Sequence, residues 1–425
     1  MSTITEEKAL EYHKNGKIGI ELTTPCDSQY ELSLAYTPGV AIPCLAIAKD
    51  ESLVFEYTNK ANLVAVVSDG TAVLGLGDIG PLASKPVMEG KAVLFKKFAN
   101  VDAFDIELDV HTVEEIVATC KAIAPTFGGI NLEDISAPRC FEIERILKEE
   151  LDIPVFHDDQ HGTAIITTAG LMNALELTNK KVEDIKIVVN GAGAAGISCA
   201  KMYQSLGVQH IIMCDSKGVI STSRTDLNKY KQEFAIDTEH KRLIDVIKGA
   251  DMFLGLSKAG ALTKEMVALM ADEPIIFALA NPTPEILPEE IKEVRDDAII
   301  GTGRSDYPNQ TNNVLGFPFI FRGALDVRAR KITEGMKMAA AVALAKLAKE
   351  PVPYYVKAAY HNQDITYGKD HIIPLPFNKE VLIWVASAVA KKAYEEGVAQ
   401  VDSYNDEEYR EHLRCLIYGC AEDSK

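Results

Sequence analysis

The stretch KIVVNGAGAAGISCAKMY, residues 186–203, decides how this chain folds. A short run rich in Ile and Val meets Gly191, Gly193 and Gly196, and a helical pattern follows at once. The spacing is G-x-G-x-x-G between a strand and a helix. The first glycine permits a tight turn, the second lets backbone approach a pyrophosphate, and the third lets helix and strand pack closely. The helix N-terminus favours the anion. A second strand then ends in Asp215, where an acid can bond the ribose hydroxyls of NAD. Lys217 sits two residues on and could instead accept a 2′-phosphate, which keeps NADP open.

Outward from this motif the second half of the chain keeps one rhythm. Strand-like runs at 210–218, 251–257, 275–282 and 298–304 alternate with segments long enough for helices. That is the pattern of βαβ units and a parallel sheet with helices on both faces. The first half has its own strand-like runs at 63–70, 102–109, 127–136 and 153–159. It opens on a polar helix, read as capped by Thr3 with Glu6 completing a capping box. Alanine-rich helices are expected at 335–349 and 380–397, with an irregular loop between them. The expectation is an α/β protein of two domains: an N-terminal α/β domain over 1–160, and a Rossmann-type doubly wound domain with C-terminal helices over 161–425.

Composition narrows the function classes. The 425 residues carry 44 Lys plus Arg against 62 Asp plus Glu, a net charge of −18. Such an acidic chain is a poor partner for nucleic acid or an anionic membrane. The eight cysteines, Cys26, Cys44, Cys120, Cys140, Cys199, Cys214, Cys415 and Cys420, form no C-x-x-C pair. They read as reduced thiols, and the N-terminus shows no apolar leader, so a cytoplasmic location is expected.

Three segments carry further chemistry. In FHDDQHGTA, 156–164, His157 and His161 stand i, i+4 around Asp158 and Asp159. Zinc on the histidines, a hard cation on the carboxylates, and a plain helix cap at either aspartate all fit these nine residues. NLEDIS places Glu133 and Asp134 at a strand end, and adjacent acids suit Mg²⁺ or Mn²⁺. In the glycine-rich 68–95 segment Lys91 precedes an apolar run, where its charge needs a partner. Tyr36 precedes a Pro-Gly turn, and Asn281, Asn312 and Asn313 sit in loops suited to binding a carboxylate or to Asx-turns.

Together these segments are similar to those of malic enzyme in its short bacterial and archaeal form. AYTPGVA, SDGTAVLGLGDIG, NLEDISAPRCFEIE, FHDDQHGTA, VNGAGAAG, ANPTPEI and QTNNVLGFP stand in family order, and the resemblance runs from about residue 15 to residue 395. It implies oxidative decarboxylation of L-malate to pyruvate and CO₂, with NAD or NADP and a divalent metal. Carried over residue by residue, it implies metal ligands at Glu133, Asp134 and Asp159, so that the second aspartate of HDDQH is the ligand. It implies catalytic roles for Tyr36 as acid and Lys91 as a base that is neutral when poised, with Asp158 beside the lysine. The cofactor positions are Gly191, Ala192, Gly193, Ala194, Ala195, Gly196, Asp215 and Asn281. Lys91, Asn281 and Asn313 meet the substrate. Ala72 stands where larger relatives carry an arginine for the distal carboxylate. A malolactic enzyme, which makes lactate and retains NAD, shares these motifs, and a non-catalytic dinucleotide sensor would share the fold. Family members are usually dimers or larger, so the resemblance implies a homodimer or higher homo-oligomer.

Overall fold

The computed structural model describes residues 4–73, 75–361 and 364–419. Thr3, Leu74 and Cys420 lie outside them. Two sheets organise the chain. The first is fully parallel in the order β2-β1-β3-β4, from β1 (Leu63–Ser68), β2 (Asp102–Glu107), β3 (Gly129–Leu132) and β4 (Val155–His157). The second has the order β10-β9-β8-β5-β6-β7, from β5 (Lys186–Asn190), β6 (His210–Asp215), β7 (Gly218–Val219), β8 (Met252–Gly255), β9 (Ile275–Ala278) and β10 (Ile299–Thr302). It is parallel except for the short edge strand β7. In β1, β3, β8 and β9 every residue is buried, as expected of strands covered on both faces. The strand order reverses beside β5, so its carboxyl end opens on the crevice where such sheets bind ligands.

The helix Asp158–Thr178 runs from the end of β4 toward the second sheet and buries fifteen residues. Residues 160 and 161, where the sequence reading divides the chain, lie inside it. An aromatic cluster joins the halves further: Phe95, on the helix Gly80–Ala99, packs edge-on against Phe317 (4.8 Å) and Phe321 (5.3 Å), and Phe321 meets Phe156 of β4 at 6.0 Å. The interface is an extension of the core, because all four rings are buried in one continuous cluster.

Expected elements shift at their ends. The first helix spans Glu6–His13 and is capped by Thr5, whose side chain accepts from the Lys8 N–H; the cap expected at Thr3 is not the one used. The alanine-rich helices fall at Glu334–Leu347 and Glu380–Glu395. Cys26, Cys44, Cys120, Cys140, Cys199 and Cys214 are in no disulfide, and the last four are buried. No helix among the described residues is long and apolar enough to cross a membrane.

The helix Phe317–Asp326, which floors the site, packs on Glu380–Glu395 through Gly323. A Cβ there would lie 2.4 Å from the Ala386 carbonyl oxygen, a backbone atom that cannot swing away. Gly323→Ala should therefore destabilise the chain by ~1–3 kcal/mol through overpacking. Thermal melting checks it; an unchanged midpoint would show that the two helices separate without strain.

Candidate active site

The site forms where parallel strands end together. Leu132 is paired with His157, so Glu133–Asp134 and Asp158–Asp159 leave the same sheet edge side by side. Asp134 adopts a left-handed φ of 52°, and its N–H donates to Asp159 Oδ2 at 2.8 Å. One carboxylate oxygen each from Glu133, Asp134 and Asp159 lies within 4.8 Å of the other two. Oxygens in the shell of one hard cation, with bonds of ~2.0–2.6 Å, span about that distance. Glu133 and Asp134 are buried, while the Asp159 side chain is 34% exposed and marks the open side.

Lys91 enters this group from the helix Gly80–Ala99. Its Nζ lies 2.7 Å from Asp158 Oδ2, 2.8 Å from Glu133 Oε1 and 4.2 Å from the centre of the Phe317 ring. Burial works against the lysine's charge, but Asp158 and Glu133 outweigh it and raise its pKa above the ordinary lysine range. Within the chain alone the two carboxylates thus favour the ammonium form of the lysine. Burial also holds Glu133 well above the usual carboxylate range; Lys91 opposes this, and the neighbouring aspartates add to it.

Asp158 is fully enclosed and accepts from Asn313 Nδ2 at 3.1 Å, and Asn313 Oδ1 accepts from Thr163 at 3.1 Å. Gly162 follows one turn later because a Cβ there would lie 2.2 Å from Asp158 Oδ1. The glycine that seems to start the helix is in fact inside it. The helix begins at Asp158, and its cap is His157, whose Nδ1 accepts from the Gln160 N–H at 3.3 Å. Neither aspartate is the cap.

The histidines do not form a zinc pair. His161 Nε2 lies 2.8 Å from Glu144 Oε1, and its Nδ1 lies 3.1 Å from Lys337 Nζ. Burial pushes the His161 pKa down to about 4, against Glu144. The neutral imidazole therefore donates to Glu144 and accepts from Lys337, fixing the start of the site helix from behind. Asn312 accepts from the Val314 N–H as a cap, while Asn313 points into the site.

At the end of β5, Gly191 has φ 129°, and a Cβ on it would lie 2.3 Å from the Leu256 carbonyl oxygen. A Cβ on Gly196 would lie 1.8 Å from the Gly191 carbonyl oxygen. At Gly193 it would meet nothing within 4 Å, and the helix Ala194–Leu206 starts there without a side-chain cap. Open space over uncapped amides suits a pyrophosphate. Ala194 packs against the core of the first sheet, so the loop borders both halves. Asp215 ends β6 as expected, yet Arg224 grips both its oxygens (2.8 and 3.0 Å) and Lys231 bonds Oδ2 at 2.7 Å. Burial alone would raise Asp215, but these cations bring its pKa to about 2. Asn281 is exposed just beyond β9, and its carbonyl oxygen would lie 2.6 Å from a Cβ on Gly75.

Tyr36 is not brought into this group. It is 70% exposed, and its hydroxyl has no hydrogen-bond partner among the described residues. Sequence reasoning missed Arg224, Lys231, Glu144 and Lys337. Only the basic spacing of SRTDLNKYK, 223–231, hinted at the first two.

An α/β chain with a dinucleotide loop beside a lysine and a three-carboxylate cluster is built like a metal-using dehydrogenase. Comparison with known families makes this specific. Residues 15–148 match the malic enzyme N-terminal domain, and residues 160–357 match the malic enzyme NAD binding domain. The chain belongs to the malic enzyme family. It is 56% identical over 97% of its length to a probable NADP-dependent malic enzyme of Rickettsia prowazekii, and spans 55%, about half, of that relative. It is 55% identical to a bifunctional malic/malolactic enzyme of Bacillus subtilis, over 96% of this chain and 98% of that one. The crystal structure of malic enzyme from Pyrococcus horikoshii superposes with a TM-score of 0.88 at 46% identity, covering 97% of this chain and 95% of that one.

Gly196→Ala should abolish dinucleotide binding in the folded variant, and should also lower the melting midpoint, because the added Cβ displaces the backbone of the Gly191 turn. Equilibrium titration with NADP checks it; parent affinity in this variant would place the pyrophosphate elsewhere.

Proposed function

We propose that the chain oxidises and decarboxylates L-malate to pyruvate and CO₂ with reduction of NADP. The observation that carries this reading is the enclosed Lys91–Asp158 pair directly against the Glu133, Asp134 and Asp159 oxygens. Three hard oxygen donors at that spacing fit Mg²⁺ or Mn²⁺ and not a softer metal. A bound cation supplies a Lewis acid at the substrate's C2 hydroxyl and C1 carboxylate, and a bound dinucleotide accepts the hydride.

The chain's own residues do the rest. Lys91 takes the C2 hydroxyl proton. Asp158 and Asn313 hold its amine in place, and Phe317 closes its far side to water. Glu133 is both a cation donor and one of the two carboxylates that keep the lysine protonated. A cation drawing on Glu133 would loosen that hold, and Lys91 could then act as the base. Asn281 and Asn313 orient the substrate at the nicotinamide end. Tyr36 returns a proton to C3 of the enolate that decarboxylation leaves.

NADP is proposed over the NAD preference that Asp215 alone suggests. Asp215 and Asp226 stand among Lys217, Arg224 and Lys231, which leaves one positive charge in surplus. With both oxygens engaged, Asp215 is ill placed to bond ribose hydroxyls, and the guanidinium suits a 2′-phosphate.

Two experiments test the reading. Asp159→Asn should lower Mn²⁺ affinity by roughly a hundredfold and kcat by more, since it removes a charged donor at constant shape. Unchanged Mn²⁺ titration and turnover would take Asp159 out of the cation shell. The parent assay should yield pyruvate; lactate with NAD retained would assign it the malolactic reaction. Separately, Arg224→Ala with Lys231→Ala should cut the NADP-to-NAD ratio of kcat/KM at least about tenfold, near 1.4 kcal/mol. A constant ratio would remove both cations from cofactor choice.

A further inference from the structure

The helix Arg139–Glu150 buries Cys140, Ile143, Glu144 and Leu147, the i, i+3, i+4, i+7 stripe of a helix packed on a core. Three of the four are apolar and one is an acid. Glu144 is 5% exposed, and a carboxylate removed from water costs stability unless it is paired and hydrogen-bonded. Apolar residues in place of such buried charges are often as stable or more so. Stability alone therefore does not account for an acid in this stripe. What it holds does.

Glu144 Oε1 accepts from the His157 N–H at 3.3 Å. His161 Nε2 lies 2.8 Å from Oε1 and 2.9 Å from Oε2. His157 and His161 bracket Asp158 and Asp159, so one carboxylate grips at both ends the turn that carries them. In a capping box the acid or amide at the third helical position takes the N–H of the cap residue. Gln160 stands at that position, yet the cap N–H goes to Glu144, on another helix. Lys148 Nζ lies 2.8 Å from Glu144 Oε1, and Lys337 Nζ lies 3.1 Å from His161 Nδ1. The grip thus has countercharge of its own, separate from Lys91.

Asp159 is the acid of the turn that depends most on this grip. Asp158 is bonded by both Lys91 and Asn313. The Asp159 side chain is open on one side, with the Asp134 N–H at 2.8 Å and His157 Nε2 at 3.8 Å from its Oδ2. We propose that Glu144 is a positioning residue for the cation site. It stands outside the three-oxygen cluster and sets the turn from which Asp159 presents its oxygen to Glu133 and Asp134. The inference rests on the cation reading of those three acids.

The test is a double-mutant cycle read by Mn²⁺ titration without malate. Glu144→Gln keeps the side chain's size and removes its charge, and should weaken Mn²⁺ binding about tenfold or more, as loss of an outer partner does. In the Asp159→Ala background the same change should matter by less than about twofold, because the residue it positions is gone. Losses that multiply would overturn the proposal, since Glu144 would then act on the fold at large. Parent affinity in Glu144→Gln would overturn it too. Lys148→Met should bind Mn²⁺ as the parent does, because no hydrogen bond or ion pair joins Lys148 to the turn among the described residues. An equal loss there would assign the effect to the buried charges and not to the grip. If Glu144→Gln does not fold with Lys148 unpaired, Glu144→Gln with Lys148→Met removes one charge of each sign and replaces it in the cycle.

A readout without metal accompanies these. Amide hydrogen exchange over residues 157–161 should rise about tenfold in Glu144→Gln, while the later turns of the same helix keep their protection. Unchanged exchange over the turn would overturn the grip. Failure of the cation reading looks different: a parent that binds no Mn²⁺, or Asp159→Ala that binds it unchanged, refutes that reading and the role given to Glu144 with it. The exchange result then still decides whether Glu144 holds the turn.

Discussion

Glu133, Asp134, Asp158 and Asp159 converge on a space that holds one cation, Lys91. Carboxylates removed from water cannot all stay ionised on such terms. The chain meets this in three ways. It enlists Lys91 between two of them, it raises Glu133 and Asp158 toward protonation, and it leaves Asp159 partly open to solvent. Much of the surrounding architecture maintains that arrangement. Gly162 makes room for the Asp158 carboxylate, Asn313 bonds it, and the Glu144–His161–Lys337 chain anchors the helix that carries it. The three oxygens of Glu133, Asp134 and Asp159 also stand close enough together to share one hard cation, which is the basis of the metal reading proposed above.

The cofactor side solves the opposite problem. Asp215 is a single acid at a strand end, where an unopposed carboxylate would repel a phosphate. Arg224 and Lys231 reach it from the segment after β7 and reverse the local sign. The same acid that discriminates for a ribose hydroxyl when alone becomes, once gripped on both oxygens, an anchor that orients cations. Charge at this position is thus set by the loop and not by the strand, which makes cofactor choice separable from the fold.

This division explains what could be read from sequence. Strand ends are local events: a β-branched run followed by Glu133–Asp134 or Asp158–Asp159 announces itself within ten residues. Which of the paired acids binds a cation came from the family resemblance, because spacing alone leaves Asp158 and Asp159 equivalent. The helix cap was misplaced for a local reason with a non-local cause. Gly162 looks like a helix start, but it is glycine because Asp158 folds back over it. The lysine's protonation state and the Arg224–Asp215 grip were illegible, since both depend on groups brought together from distant parts of the chain. That Tyr36 stands apart from Lys91 within the chain was equally illegible, since nothing in AYTPGVA reports on what the tyrosine packs against.

The two halves of the proposed chemistry then sit on elements of different rigidity. Lys91 is fixed by two ion pairs, an aromatic face and a continuous core, so its distance to the cation donors is set once the chain folds. Tyr36 closes a short helix with no buried residue and is itself 70% exposed. In the proposed chemistry, proton removal at C2 falls to a group that the fold encloses, and proton return at C3 to one that the fold leaves exposed.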